Sequence, residues 1–246
     1  MSEFLTAADV EPGDIFACTA SDPTSLIIRT FSFSARAPWA LSDRPSHVAI
    51  ALRVEGGLAD MLPHRAGEIV WVEQTTLCPH ACLVSGVPRA GLQLHTINQR
   101  VDDYTGRRPI PLRITSKATG LPVTVPEPFP RRVELYKPTE DWRLSAEEQR
   151  QLADFIAGRK QQEKTDPDAT AYSTGWAVAS GRVARLVFAD VPPPEDARFC
   201  SQLLARMLQL LPRTRLDAIG PSKLNPTALM RRLARPGRYS LAGRLS

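Results

Sequence analysis

The sequence predicts an α+β fold in which an antiparallel sheet packs against helices. Patterns rich in β-branched and apolar residues, typical of strands, occur between residues 15 and 136, whereas long helical patterns follow residue 144. The chain has 246 residues, of which 43% are hydrophobic and 23% charged. A chain of this length and composition buries a core without disulfide cross-links, so we expect a single domain spanning residues 1–246.

Five strands are expected in the first part of the chain. The first follows a turn at Pro12-Gly13-Asp14, and the second is followed by Gly56-Gly57, a pair typical of a turn. The predicted strands cover residues 15–18, 46–54, 68–73, 91–97 and 131–136.

The segment between the last two predicted strands is rich in proline. Residues 104–130 contain six prolines and show little periodicity. A segment of this length without regular structure is either a functional lid or a surface insertion, and the sequence favours neither reading over the other.

Helices are expected in the second half. Ser145 and Glu148 form a capping box that opens a helix through about residue 160. Residues 172–180 predict a short helix, and Asn225 precedes a proline and is the expected N-cap of the last helix.

The positive charge is concentrated near the C-terminus. The net charge is +5, and residues 218–246 contain no acidic residue. The bases of this segment are Lys223, Arg231, Arg232, Arg235, Arg238 and Arg244. Residues 231–246, the basic C-terminal tail, are either a contact surface for phosphate, lipid headgroups or an acidic partner, or a solvated helix with a frayed terminus.

Composition excludes several classes of protein. Aromatic residues make up 7%, and only Tyr239 is interleaved with the bases, which argues against a nucleic-acid partner. No run of about 18 apolar residues predicts a membrane-spanning helix. The first residues lack a secretory signal pattern, so we expect synthesis in the cytoplasm. If the protein acts in the periplasm or cell envelope, we expect a secretion system or a phage to deliver it.

No metal or cofactor is expected. Cys78, His80 and Cys82 have a spacing that suggests zinc, but a structural zinc site requires four ligands and no second pair lies nearby. We interpret this segment as a loop in which the two cysteines form a disulfide only in an oxidising compartment.

Cys200 occupies the position where a catalytic cysteine is expected. Asp196 is the predicted cap of a strongly apolar, buried helix, and Cys200 follows four residues later, in its first turn. Backbone N–H groups at a helix N-terminus stabilise a thiolate and an oxyanion. A cysteine in a buried helix is also a common structural residue, and the sequence alone leaves both readings open.

A thiolate nucleophile needs a base and a residue that orients the base. His47 opens a predicted strand and Glu73 ends the next one, whereas His64 lies in a loop and His95 on the polar side of its strand. We expect His47 and Glu73 to lie at opposite ends of a simple hairpin, so that their meeting would require a register shift or an intervening element.

Four motifs, taken in order, resemble a known family. They are Pro12-Gly13-Asp14-Ile15, Ser46-His47-Val48-Ala49-Ile50, Val72-Glu73 and Phe199-Cys200-Ser201-Gln202-Leu203. Together they resemble the circularly permuted branch of the NlpC-type papain-like cysteine hydrolases, represented by YiiX-like and YaeF-like proteins. In this branch the histidine precedes the cysteine. The chain departs from the family pattern at Phe199, where tyrosine is usual, and at Gln202, where glutamate is usual.

The resemblance implies a papain-like fold and acyl transfer through a thioester. It implies Cys200 as nucleophile, His47 as base and Glu73 as the residue that orients His47. It also implies substrate-binding roles for Tyr172, whose hydroxyl would stabilise the oxyanion, and for Ser46 and Ser201.

The resemblance leaves three functions open. The first is a peptidoglycan hydrolase that cleaves a stem-peptide amide and has an immunity or delivery protein as partner. The second is a lipid hydrolase or acyltransferase similar to lecithin–retinol acyltransferase, whose basic C-terminal tail contacts a membrane. The third is a binding module without catalysis. The oligomeric state is not predicted.

Overall fold

A computed structural model of the protein describes residues 3–20, 45–75, 80–88, 90–105, 132–166, 199–211, 224–235 and 237–246, together with the backbone of 113–115 and 122–124. The described fold is α+β, as the sequence predicts. The strands are β1 (Glu3–Leu5), β2 (Ile15–Thr19), β3 (His47–Arg53), β4 (Ile69–Thr75), β5 (Gly91–Thr96), β6 (Arg113–Thr115), β7 (Pro122–Thr124), β8 (Arg132–Pro138) and β9 (Tyr239–Leu245). The α-helices are α1 (Gly57–Met61), α2 (Ile97–Thr105), α3 (Ala146–Thr165), α4 (Cys200–Gln209) and α5 (Pro226–Ala234).

Seven strands form one mixed sheet in the order β1-β9-β8-β2-β3-β4-β5. Strands β2, β3, β4, β5 and β8 pair antiparallel with their neighbours, and β9 pairs antiparallel with β8. Strand β1 instead runs parallel to β9. The expectation of a wholly antiparallel sheet is therefore wrong at this edge, because the first strand pairs with the last one and no hairpin connects them.

The sheet buries a different set of side chains on each face. On one face, here called the helical face, Ile50 and Val72 pack in a core cluster that also contains residues of α1, α3, α4 and α5. On the other face, called the α2 face, Ala49 and Trp71 pack with Val101 of α2. Because side chains alternate along a strand, His47 and Glu73 lie on the α2 face.

The five predicted strands are confirmed as β2, β3, β4, β5 and β8, with their ends within two residues of the predicted ones. Two predicted caps are also confirmed. Ser145 Oγ accepts the Glu148 N–H at 3.2 Å while Glu148 Oε2 accepts the Ser145 N–H at 2.8 Å, and Asn225 Oδ1 accepts the Ala228 N–H at 2.8 Å.

The cap predicted for the cysteine helix is wrong. Helix α4 begins at Cys200 and its N-cap is Phe199, which makes no side-chain hydrogen bond to the helix. Asp196 and the predicted helix 172–180 lie outside the described residues. The apolar pattern of α4 correctly predicts a buried helix, since Leu203 and Leu204 are both almost inaccessible to solvent.

The basic C-terminal tail is not a frayed terminus. Arg231 and Arg232 lie in α5, and Tyr239–Leu245 form β9 between β8 and β1. Within the proline-rich segment 104–130, β6 and β7 pair antiparallel. The other residues of 106–131 lie outside the described residues. None of the described helices is long and apolar enough to cross a bilayer.

Candidate active site

His47 and Glu73 meet at one end of the β3–β4 hairpin. Ile50 pairs with Val72 in this antiparallel pair, so the first residue of β3 lies beside the last residues of β4. His47 Nε2 is 2.7 Å from Glu73 Oε2. The expectation that the two residues lie at opposite ends is therefore wrong, because antiparallel strands bring the start of one beside the end of the next. No register shift or intervening element is needed.

Cys200 reaches this site from the helical face. It is the first residue of α4, a helix that packs against β3 and β4. Phe199 makes no side-chain hydrogen bond to the helix, and the partial positive charge of the helix N-terminus lies at Cys200, its first residue.

The His47 ring links the thiol to the carboxylate. Burial favours the neutral imidazole. The charge of the Cys200 sulfur and its hydrogen bond to the ring oppose this effect, as does the Glu73 carboxylate. Together they raise the pKa of His47 from 6.5 to about 10. Because Nε2 is bonded to Glu73, Nδ1 is the ring nitrogen left for Cys200. The arrangement favours the imidazolium form of His47 at neutral pH.

Glu73 has a second partner that the sequence analysis did not identify. Arg100 of α2 places Nε 2.8 Å from Glu73 Oε1 and Nη2 3.1 Å from Oε2. Burial raises the pKa of a carboxyl group, but the Arg100 charge and the His47 contact together hold the pKa of Glu73 well below its usual range. Glu73 is therefore an ionised, buried carboxylate.

Arg100 continues this network away from the sulfur. Its Nη1 donates to Asp103 Oδ2 at 2.7 Å, and Asp103 Oδ1 lies 2.8 Å from His80 Nε2. His95, fully buried on β5, has its Nε2 3.9 Å from Glu73 Oε1. Burial lowers the pKa of His95 to about 4, so its ring is neutral.

An aromatic stack lies beside the histidine. The Tyr104 ring of α2 is stacked at 6.5 Å from the His47 ring and at 6.2 Å from Trp71, and Trp71 stacks on Phe16 at 4.0 Å. The Arg100 guanidinium lies 5.1 Å from the centre of the Tyr104 ring. These contacts limit rotation of both the base and the arginine. Arg100 and Tyr104, at i and i+4, face the sheet together, a helical spacing that could have suggested a shared role.

Two predicted substrate-binding hydroxyls are engaged elsewhere. Ser46 is buried, accepts the Ala20 N–H at 3.2 Å and donates to the Cys18 carbonyl at 3.4 Å. Ser201 is fully buried and donates to the Leu224 carbonyl at 2.6 Å. These bonds connect β2 to the start of β3, and α4 to the residue before α5. Tyr172 lies outside the described residues.

The other described cysteines are in different environments. Cys18 is directly opposite His47 in the β2–β3 pair, but burial raises the pKa of its thiol well above the ordinary value. Cys82 is buried and its sulfur accepts the Leu94 N–H at 3.4 Å, while Cys78 lies outside the described residues. In the described part of the chain, no three acidic, histidine or cysteine side chains cluster in a way that could hold a metal ion.

Comparison with known proteins adds no relative. No protein-family model matches the chain, and a search of curated proteins finds no significant match.

Proposed function

We propose that the protein is a cysteine hydrolase that acts through a thioester intermediate. The observation that carries the proposal is that a single buried imidazole, His47, contacts both Glu73 and the thiol at the start of α4. A nucleophile, a base and an orienting carboxylate in contact with one another define a cysteine–histidine–acid triad.

The proposed reaction begins with the Cys200 thiolate attacking a carbonyl carbon. The developing oxyanion is stabilised by N–H groups at the start of α4. The leaving amine or alcohol takes the proton from the His47 imidazolium, which yields a thioester. A water molecule, deprotonated by His47, then attacks the thioester, releases the acid and regenerates the thiol.

Peptidoglycan is the first candidate substrate. The order of the motifs around Cys200, His47 and Glu73 resembles the permuted NlpC-type hydrolases, and this resemblance favours cleavage of a stem-peptide amide. We therefore propose an amidase or endopeptidase of the stem peptide, which works in the cell envelope after delivery.

A lipid ester is the second candidate, and one surface feature favours it. Phe4 is 74% exposed on the edge strand β1, and Leu241 is 49% exposed on its neighbour β9. Arg244, also exposed, pairs in register with Phe4. An apolar surface next to a base suits contact with anionic lipid.

Mass spectrometry of reaction products tests both candidates. The wild type and Cys200→Ala are incubated with peptidoglycan sacculi and, in parallel, with phospholipid vesicles containing phosphatidylglycerol. We expect new muropeptide masses with the wild type and none with Cys200→Ala. Cys82→Ala is the matched control, since it removes a buried thiol bonded to Leu94 N and should retain activity.

The possible outcomes separate the functions. Fatty acid released only by the wild type would assign the enzyme to lipid esters and overturn the peptidoglycan assignment. No product from either substrate, with Cys200 no more reactive toward iodoacetamide than an ordinary thiol, would contradict the hydrolase and leave a binding module.

A further inference from the structure

We propose that Arg100 is a positioning residue of this site, which acts on the cysteine–histidine pair through Glu73. The inference rests on the proposed function and adds a fourth residue to its machinery. The Arg100 guanidinium contacts both oxygens of the Glu73 carboxylate. Its remaining nitrogen contacts Asp103.

The contacts fix the plane of the Glu73 carboxylate. Nη2 of Arg100 donates to Oε2 at 3.1 Å, and Nε lies 2.8 Å from Oε1 in an ion-pair contact that lacks hydrogen-bond geometry. These two contacts are here called the fork. Oε2, the oxygen shared with Nη2, is also the one that lies 2.7 Å from His47 Nε2. With a guanidinium nitrogen close to each oxygen, the carboxylate presents Oε2 to the base.

Burial makes this fork necessary. The Glu73 side chain is 0% exposed and that of Arg100 is 4% exposed. A carboxylate without solvent is stable only when it is paired and hydrogen-bonded. His47 alone is an intermittent partner for that charge, because its own charge changes when it donates its proton during the reaction.

A competing partner shows what Arg100 prevents. His95 Nε2 lies 3.9 Å from Glu73 Oε1, and neither ring nitrogen of this buried histidine makes a hydrogen bond within the described residues. Without the fork, a small rotation would bring Oε1 to His95 and withdraw Oε2 from His47. Arg100 occupies Oε1 and so keeps the carboxylate on the base.

Arg100 is itself anchored. It donates to Asp103, one helical turn further along α2, and Asp103 contacts His80 in the segment before β5. The Tyr104 ring lies under the guanidinium. These contacts fix the fork relative to the sheet. Lysine cannot reproduce it, because a single ammonium group cannot lie against both Glu73 oxygens and Asp103 at the same time.

The pH profile of Cys200 alkylation tests the inference without any substrate. The full chain is treated with iodoacetamide between pH 5 and pH 10, and the adduct at Cys200 is quantified by peptide mapping. In Arg100→Gln, Glu73 takes up a proton or turns toward His95, so the imidazolium loses its anionic partner. We expect alkylation at pH 6 to slow by about tenfold, equivalent to an upward displacement of the profile by about one pH unit.

Two variants make the test specific. Arg65→Gln removes an arginine that pairs with Glu68 at 2.8 Å at the other end of the β3–β4 hairpin, and its profile should match the wild type. The rate of Cys200 alkylation at pH 6 in Arg100→Lys should lie between the rates in the wild type and in Arg100→Gln. A profile for folded Arg100→Gln that overlays the wild type would overturn the inference.

A double variant keeps the test decisive if Arg100→Gln fails to fold. Glu73→Gln/Arg100→Gln removes both buried charges together, and a residue that acts only through Glu73 should add nothing to Glu73→Gln alone. A double variant slower than Glu73→Gln would overturn the inference. If the wild-type Cys200 itself reacts as an ordinary thiol, the proposed function fails instead, so the two failures are distinguishable.

Discussion

His47 Nε2 lies 2.7 Å from Glu73 Oε2, although the two residues are 26 positions apart in the chain. The contact follows from the hairpin itself, since β3 begins where β4 ends. It commits one ring nitrogen to the carboxylate and leaves the other for Cys200. The base is therefore oriented by an element that is part of the sheet core, and its position does not depend on a loop.

The first prediction concerns the reactivity of the thiol. In His47→Ala, alkylation of Cys200 by iodoacetamide should slow at least about tenfold at pH 6, because the imidazolium no longer stabilises the thiolate. At pH 10, where an ordinary thiol is also ionised, the two proteins should react at similar rates. His64→Ala removes an exposed histidine and is the control. Equal rates for His47→Ala and the wild type at pH 6 would contradict the ion pair.

The second prediction concerns the titration of the base. Cys200 is the leading influence that raises the pKa of His47 against the effect of burial. An NMR titration of ¹⁵N-histidine-labelled protein should therefore place this pKa near 10 in the wild type and clearly lower in Cys200→Ala. Hydrolysis, which needs the imidazolium as an acid, should decline as the pH approaches 10.

An unchanged His47 pKa in Cys200→Ala would mean that the sulfur does not interact with the ring. A wild-type pKa near 6.5 would mean that Cys200 and Glu73 together only offset the effect of burial on the imidazolium. Alkylation provides an internal comparison, since it requires only the thiolate and should not decline above pH 10.

Much of the fold was accessible from local patterns. The strands β2 to β5 and β8 contain runs of apolar and β-branched residues, and the caps at Ser145 and Asn225 are short-range signals. Strand β9 escaped prediction because its residues, Tyr-Ser-Leu-Ala-Gly-Arg-Leu, include Ser, Ala and Gly, which have low strand propensity. Its conformation depends on pairing with β8 and β1, which are distant in the chain.

The site was predictable only in part. The motifs predict Cys200, His47 and Glu73 as site residues, and the structure brings His47 and Glu73 together. The expectation that these two lie at opposite ends of the hairpin is wrong, because the start of β3 lies beside the end of β4. Arg100 and Asp103 were not among the predicted site residues, because charged residues at i and i+3 on a helix usually face solvent. Here both are buried by tertiary contacts.

The third prediction concerns the basic C-terminal tail. A chain that ends at Arg238 lacks β9, which leaves β1 without its partner and exposes the edge of β8. It also loses the buried side chains of Tyr239 and Leu245. We expect loss of cooperative thermal unfolding, measured by circular dichroism. Arg244→Ala, which removes an exposed charge from the same strand, should leave the melting temperature unchanged, and a truncated chain that melts like the wild type would contradict the role of β9.

The fourth prediction concerns Asp14 in the turn before β2. Its Oδ2 accepts the Glu11 N–H at 2.9 Å, and burial raises the pKa of the carboxyl group from 3.8 to about 6 despite that bond and the nearby Lys137 charge. The folded chain therefore keeps this proton to a higher pH than the unfolded chain does. Between about pH 4 and pH 6 the folded state binds more protons, so the free energy of unfolding falls as the pH rises.

Asp14→Asn removes this titration and keeps an oxygen for the Glu11 N–H. From pH 4.5 to pH 7, urea unfolding should show that the wild type loses on the order of 2 kcal/mol of stability relative to the variant. Asp60→Asn, which neutralises an exposed carboxylate in α1, is the control and should follow the wild-type slope. Parallel curves for the wild type and Asp14→Asn would show that Asp14 has the same pKa in the folded and unfolded chains, and that burial at this turn does not hold its proton.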